Sequence, residues 1–501
     1  MVLILSSPNQ NDTNEHFYET IKEHNHDPKF VAKNLKLTDA SNISIPISYF
    51  IIGFLSSFIT TPITVYMVES IDASAVEQNT VTTLMSLPWS FKLVYGFLSD
   101  IAPIAGLRRK PYFLFGYFLN CLAFAILAMS EEPEYFLLAN MIFLATVGQI
   151  MGDVMADTLV VERARMENTE SRGQLQASCY AIRFAGTVFG YLFGTVLYNK
   201  STWGWGLDFQ QVCLLCSILP LIGLGGTVWS LYEAPARPKS IKEQFSDIWE
   251  TACLKAVWKP MTFIFFFNCL QVPNIAWSSY LQLSLGFEAY MLGIIYTGGA
   301  LMSLIGILAY KKFLFNVSWR TIYLYTTMVT LVFNLMQLVL IFQWNKTYLN
   351  MSNLWFAFGD DAVAEYVQGV QFLPVCIMFL RLCPDGSEGA TYAILTTFSN
   401  IALNCGYNIG TLLSDIWDVS NDTLTAQDYS GFWKLDLLTG CLAPIPLALL
   451  FLLPKNKQDQ EVLIKQQKKS TLGGTVFLTV LTISLAWTLI QAFVVVIFSE
   501  I

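Results

Sequence analysis

Histidine is nearly missing from this 501-residue chain: the only three, His16, His24 and His26, all precede the first apolar run. A histidine relay inside a membrane is therefore excluded, and so is a Ser-His-Asp order for hydrolysis. His24-x-His26 reads better as part of a solvated tail than as a metal site. The ten cysteines are scattered through apolar stretches, and even Cys213-x-x-Cys216 has no second pair or histidine nearby, so they read as small buried side chains. No phosphate loop or metal-ligand cluster occurs; Gly223-x-Gly225-Gly226 lies inside an apolar stretch and reads as packing. Charge is scarce too, at 13% of residues. No enzyme activity, cofactor, metal or nucleic-acid partner is expected from such a chain.

What is abundant is apolar sequence, 54% of residues, with a mean hydropathy of +0.49. Length alone would suggest several soluble domains, but this composition belongs to a multi-pass protein of the lipid bilayer. Runs of roughly 20 apolar residues, enough for a helix to cross a ~30 Å hydrocarbon core, recur near 44–67, 81–98, 111–129, 135–158, 174–198, 209–231, 257–281, 289–310, 320–343, 362–382, 388–416 and 433–453. A thirteenth candidate follows at 472–498. Only Gln491 is polar near its centre, and it lacks the strong polar face of a helix lying on the membrane surface. It is expected to pack on the periphery without touching solute.

Lysine and arginine crowd every second connection: Arg108, Arg109 and Lys110; Arg163, Arg165 and Arg172; Arg237, Lys239 and Lys242; Lys311, Lys312 and Arg320; Arg381; Lys455 and Lys457. The positive-inside rule makes these loops and the N-terminus cytoplasmic, in the plasma membrane or an organelle membrane. The opposite loops hold sequons at Asn199, Asn345, Asn350 and Asn421, which suit an outward surface and predict a glycoprotein. MVLIL is too short for a secretory signal, so residues 1–42 read as a cytoplasmic tail. The spans then divide into a six-helix bundle over 43–232, a cytoplasmic linker over 233–256 and a second six-helix bundle over 257–454. A basic segment over 455–471 and the extra helix over 472–501 complete the chain.

Leu87 to Arg109, LPWSFKLVYGFLSDIAPIAGLRR, drives a lysine-bearing apolar helix into Gly96-x-Leu98-x-Asp100 and then a cationic loop. A weak echo, Gly306-Ile-Leu308-Ala-Tyr310 leading to Lys311 and Lys312, sits at the equivalent connection of the second half. Two related bundles rocking about a midplane site are how many carriers alternate access. PWSFK at 88–92, YGFLSD at 95–100, PIAGLRRKPY at 103–112, GDVMADTLVVERAR at 152–165, RGQLQASCYAIRF at 172–184, the stretch 273–312 and LCPDGSEGATYAILTTFSN at 382–400 resemble the folate-biopterin transporter (BT1) family of the major facilitator superfamily. The resemblance covers about 45–455, in order and in both halves. It implies an all-α, major-facilitator-like bundle of twelve transmembrane helices and a secondary transporter for a folate, biopterin or related pteridine.

Independently of that resemblance, charges within spans point to a site. An ionised group at mid-bilayer costs at least ~2.5–3.5 kcal/mol on insertion scales, so Lys92, Asp153, Asp157 and Arg183 should face protein and be paired. Asp153 lies ten residues before the loop start at Arg163, and Arg183 lies eleven after the loop end at Arg172, which places them at one height on antiparallel helices. Lys92 could neutralise Asp153 instead. Asp157, one turn nearer the cytoplasm, is expected to close a gate with Arg108 or Arg109, together with Gly96 and Asp100. Asn400 and Asn404 share a stripe with Asn408 and must face protein or a water-filled cavity, as interhelical glue or as a substrate-lining face. Asn268, Gln271, Asn274 and Trp277 surround Pro273 in a kinked polar segment; amides and an aromatic face of this kind suit a pterin ring. The substrate or ion-coupling candidates are thus Lys92, Asp153, Arg183, Asn274, Trp277, Asn400 and Asn404. The expectation is alternating access by a functional monomer with a proton as coupling ion. The alternatives are a carrier of another organic solute on the same fold, or a receptor or scaffold that no longer transports.

Overall fold

The computed structural model describes residues 36–498 apart from 72–80, 83, 169–170, 199, 232, 234–239, 288, 384–387 and 415. The three histidines, the sequon at Asn199, and Arg237 and Lys239 of the linker lie outside the described residues. No strand occurs among the described residues; the chain is a bundle of helices.

Ten of these helices are long and apolar enough to cross a membrane. They are α1 (Ser44–Met67), α3 (Lys110–Met129), α4 (Tyr135–Ala164), α5 (Gln174–Leu197), α6 (Phe209–Ser230), α9 (Ala289–Ala309, prolonged by a π turn to Leu314), α10 (Trp319–Ile341), α11 (Asn353–Leu382), α13 (Phe432–Leu442, prolonged by a 3-10 turn to Leu452) and α15 (Thr471–Phe498). Two amphipathic segments complete the connections, α7 (Ile241–Cys253) and α14 (Lys457–Lys465).

The other three expected spans are helical but depart from a simple crossing, each for a physical reason. In the second, a 3-10 turn, Leu87–Phe91, carrying Pro88 leads into a short α2 (Lys92–Ile101). In the seventh, α8 (Lys255–Cys269) stops before Pro273, which offers no N–H and disfavours helix in the residue before it. The chain becomes helical again at Trp277–Ser279. The eleventh, α12 (Glu388–Ser414), is long enough but rich in polar residues. It is flanked by α2, α4, α8 and α15, so the half that carries Thr391, Thr397 and Ile401 is buried against protein. Asn268 donates to the carbonyl and hydroxyl of Ser399, and Leu93 N–H donates to Thr397.

Close crossings set the other contacts. Gly186, Gly190 and Gly194 form one face of α5, and a Cβ at any of them would strike the carbonyl oxygens of Phe50, Phe54 and Phe58 on α1. This stripe is packing, as small residues at four-residue spacing allow. Helix α5 also packs on α9, and α2 on α12. The second crossing is equally tight, since a Cβ at Gly96 would lie 2.6 Å from the Gly389 carbonyl oxygen.

Two expectations change here. Asn345, offered above as a glycan acceptor, is fully buried, its amide donating to Met351 O and Asn353 Oδ1. A side chain already used to close a turn cannot present itself to an oligosaccharide. Helix α15, expected to be a peripheral addition, exposes Leu472, Val476 and Ile483 but has its start tied to the linker. Lys255 N donates to Lys468 O, Ser470 N donates to Cys253 O, and Phe477 packs on Phe398 of α12.

Gly190→Leu should separate α1 from α5 and lower stability by about 1–3 kcal/mol. Gly225→Ala should be near neutral, because nothing lies within 4 Å of its would-be Cβ. Thermal melting of the purified protein in detergent compares the two; equal midpoints would contradict the tight seam.

Candidate functional site

Four charges meet inside the bundle. Asp153, in the middle of α4, takes Lys92 Nζ on Oδ2 at 2.5 Å and Arg183 Nη1 on Oδ1 at 2.7 Å. Both cations that the sequence offered as rivals for Asp153 are therefore its partners. Asp157, one helical turn away, lies 3.6 Å from Lys92 and accepts the hydroxyls of Tyr49 at 2.5 Å and Tyr180 at 3.2 Å. With all four groups ionised the cluster is neutral, which is what a low-dielectric interior requires. The helix geometry explains the convergence: α1, α2, α4 and α5 pack around one point, and residues four apart on α4 share a face.

Trp89 completes the cluster. It precedes Lys92 by three residues in the 3-10 turn, and its ring lies 4.8 Å from Lys92 Nζ and 5.1 Å from the Arg183 guanidinium carbon. Cation–π contacts of this kind contribute about 0.5–2 kcal/mol, more as they are desolvated. Trp89 is half-buried, and Arg183 keeps 14% of its side chain accessible, whereas Asp153 keeps 1%. Aromatic side chains from the far side of the chain close over the site: Phe372 of α11 meets Tyr180 edge-on at 4.8 Å, and Tyr392 of α12 bonds to Gln176.

At the basic end of the bundle the expected gate has different partners. Asp157 does not reach Arg108 or Arg109, because Lys92 and two tyrosines already hold it. Glu162, further along α4, takes their place, 3.1 Å from Arg109 and 3.7 Å from Arg108. Arg109, fully buried, also lies 2.6 Å from Asp100 and donates to Ser99. Burial opposes its charge, but Asp100 and then Glu162 outweigh that and hold the guanidinium above its ordinary range. Asp100 in turn accepts Gln244 of the linker helix and the N–H of Ala390 at the start of α12. Gly389 is required there, since a Cβ would sit 2.9 Å from Arg109 and 3.1 Å from Asp100. Arg165 pairs with Glu388, and Lys311 donates to Ser178 of α5 at 2.7 Å. Glu233 caps α3, accepting from Arg108, Arg109 and Lys110 N–H groups. This end is shut by contacts that cross between the early and late helices.

The remaining candidates lie elsewhere. Asn404 donates to Ser90, beside Trp89, and so adjoins the charged cluster. Asn400 is half-buried on the same helix. Asn274 belongs to the break after α8, where its oxygen accepts Ala276 N–H and its amide donates to Asp436 of α13 at 3.2 Å. Trp277 stacks on Phe432 in that same region. The sequence reading passed over Trp89, Glu162, Tyr49, Tyr180 and Asp436. Helical spacing offered two of them: Trp89 is three before Lys92, and Tyr180 three before Arg183.

Charge counting predicts an ordering of variants. Asp153→Asn leaves two buried cations facing Asp157 alone, and Arg183→Gln leaves two carboxylates facing Lys92 alone; each should cost ~3–5 kcal/mol. The double variant leaves Lys92 with Asp157, a balanced pair, and should melt above both singles. A double variant that melts below both would show that the four groups do not act as one charge set.

A family model described as the BT1 family matches residues 53–471. A folate-biopterin transporter of Synechocystis sp. is 27% identical over 429 residues, 84% of this chain and 83% of that protein. Folate transporter 1 of Plasmodium falciparum is 26% identical over 386 residues, 76% of this chain and 73% of that protein. Folate transporter 2 of the same organism is 25% identical over 386 residues, 76% and 81% of the two chains. The family match begins inside α1 and runs to the first residue of α15, taking in the charged cluster and the closed end alike, and this multi-pass integral membrane protein belongs to the BT1 family.

Proposed function

We propose that this protein is a secondary transporter of folate, biopterin or a related pteridine, working by alternating access with a proton as coupling ion. The observation that carries the reading is the Trp89, Lys92, Asp153 and Arg183 constellation: a half-buried indole flanked by two cations inside the bundle. A pteridine is flat and aromatic and has an amide-like edge, so it can stack on Trp89 while hydrogen-bonding acids and amides. A folate adds glutamyl carboxylates, for which Arg183, the most accessible of the four charges, is the natural partner. A solute carboxylate that takes Arg183 from Asp153 leaves Asp153 and Asp157 facing Lys92, one excess negative charge that an accompanying proton would cancel.

Residues 43–232 and 257–454 serve in this reading as two rocking units. The ion pairs and hydrogen bonds at Asp100, Arg109, Arg165 and Lys311 are the contacts that part when the basic end opens. That end is cytoplasmic by the positive-inside rule. The names of the relatives, all folate or folate-biopterin transporters, favour this class of solute over other organic anions and over a receptor that does not transport.

Uptake of labelled folic acid and labelled biopterin, by vesicles containing the purified chain, at two external pH values tests the proposal. Saturable uptake of one solute that is stronger at the lower external pH is expected, and it should fall at least about tenfold in Arg183→Ala. Uptake equal to that of empty vesicles for both solutes would sink the solute assignment. Wild-type rates in Arg183→Ala would remove that residue from the site.

A further inference from the structure

The charged cluster of α2, α4 and α5 balances itself, but a second group of buried acids does not. Asp360 on α11 and Asp436 on α13 are 7% and 2% exposed. Each has one oxygen held by an amide: Gln337 of α10 donates to Asp360 Oδ2 at 2.9 Å, and Asn274 donates to Asp436 Oδ1 at 3.2 Å. The other two oxygens, Asp360 Oδ1 and Asp436 Oδ2, have no hydrogen-bond partner. Both border α10: Gln337 of that helix bonds Asp360, and α13, which carries Asp436, packs along it. The seam between α10 and α13 holds them there, with Gly440, one turn after Asp436, packed on Asn334, one residue triplet before Gln337.

The surroundings add more negative charge and no compensation. Asp361 and Glu365 follow on α11, both close to Gly299 of α9, and Glu365 accepts the Ser303 hydroxyl at 2.5 Å. Tyr280, from the segment after the α8 break, stacks on Phe432, one turn before Asp436, and spends its own hydroxyl on Leu340 O. No lysine or arginine forms an ion pair with any of these four acids among the described residues. Buried carboxylates with orphaned lone pairs need a cation.

We propose that Asp360 and Asp436 form the coupling-ion site of the carrier, and that the ion is a proton carried on their free carboxyl oxygens. This rests on the transport reading above. The ligand chemistry selects the proton over sodium. A metal cation would need a shell of several oxygens, whereas Asn274 and Gln337 turn N–H donors toward the acids, and the Asn274 oxygen is already taken by Ala276 N–H. A proton on a free oxygen removes the buried charge that no lysine or arginine cancels there. Asn274 also ties the site to the broken helix beside α12. The unwound carbonyls of that break lie on Gly406 and Gly410, so a change of protonation at Asp436 bears directly on how α8 and α12 pack.

Two measurements on the purified full-length protein test this. Infrared spectra at pH 7 report protonated carboxyl groups with no solute present. The wild type should show their carbonyl stretch, and Asp360→Asn and Asp436→Asn should each diminish it; a band absent from the wild type, or unchanged in both variants, overturns the proposal. In vesicles, a pH gradient of one unit should drive accumulation of labelled folic acid by about tenfold at one proton per solute. In Asp436→Asn this accumulation should fall to the level reached without a gradient, a far larger loss than in counterflow exchange. Accumulation that survives in the variant, or that follows a sodium gradient instead, overturns it as well. Wild-type protein that performs no counterflow of folic acid would instead reject the solute assignment, and the infrared comparison would still decide the proton site. If Asp436→Asn does not fold, Asp360→Asn carries both comparisons.

Discussion

Charge inside a bilayer must be cancelled on the spot, and the arrangement of the early helices follows from that one demand. Lys92 cannot lie where it does unless α4 brings Asp153 and Asp157 to it, and two acids one turn apart cannot face one cation unless α5 supplies Arg183. The seam of Gly186, Gly190 and Gly194 against α1 lets α5 come close enough for this, and the same α1 contributes Tyr49 to Asp157. Packing and electrostatics are here one constraint seen from two sides: the backbone approach that small residues permit is what places the compensating charge.

The same demand shapes the interrupted helices. Where the chain unwinds, before Lys92 and after Cys269, it does so against α12, whose polar side chains and glycines receive the exposed backbone groups. A helix with Thr397, Ser399 and Asn404 along it would be a poor lipid-facing span, yet at the centre of the bundle it answers hydrogen-bonding needs that two broken neighbours create. The polarity of α12 and the breaks in α2 and α8 are complementary features of one interior.

Much of this was legible in the sequence, for definite reasons. Span positions follow from hydropathy, which depends on a window of neighbours and needs no tertiary knowledge. Asp153 and Arg183 could be placed at one height because two antiparallel helices sharing a short loop keep count of each other. Partner choice was not legible in the same way. Whether Arg109 meets Asp157 or Glu162 depends on a few ångströms of depth along α4, and whether Lys92 or Arg183 holds Asp153 was a false choice, since a carboxylate has two oxygens. Asp360 and Asp436 escaped notice because nothing in the intervening sequence pairs them; only the seam between α10 and α13 does.

The fastening between the linker and the last helix has a consequence for how the molecule is made. Cys253 and Lys255 bond to Ser470 and Lys468, and Glu250 lies 3.1 Å from Lys469. A nascent chain emerges in order, so the linker must wait for its backbone partners until the helices up to α14 have left the ribosome. This fastening of the linker can therefore close only after the residues that join the early and late helices, Lys311, Glu388 and Ala390 among them, have already been made.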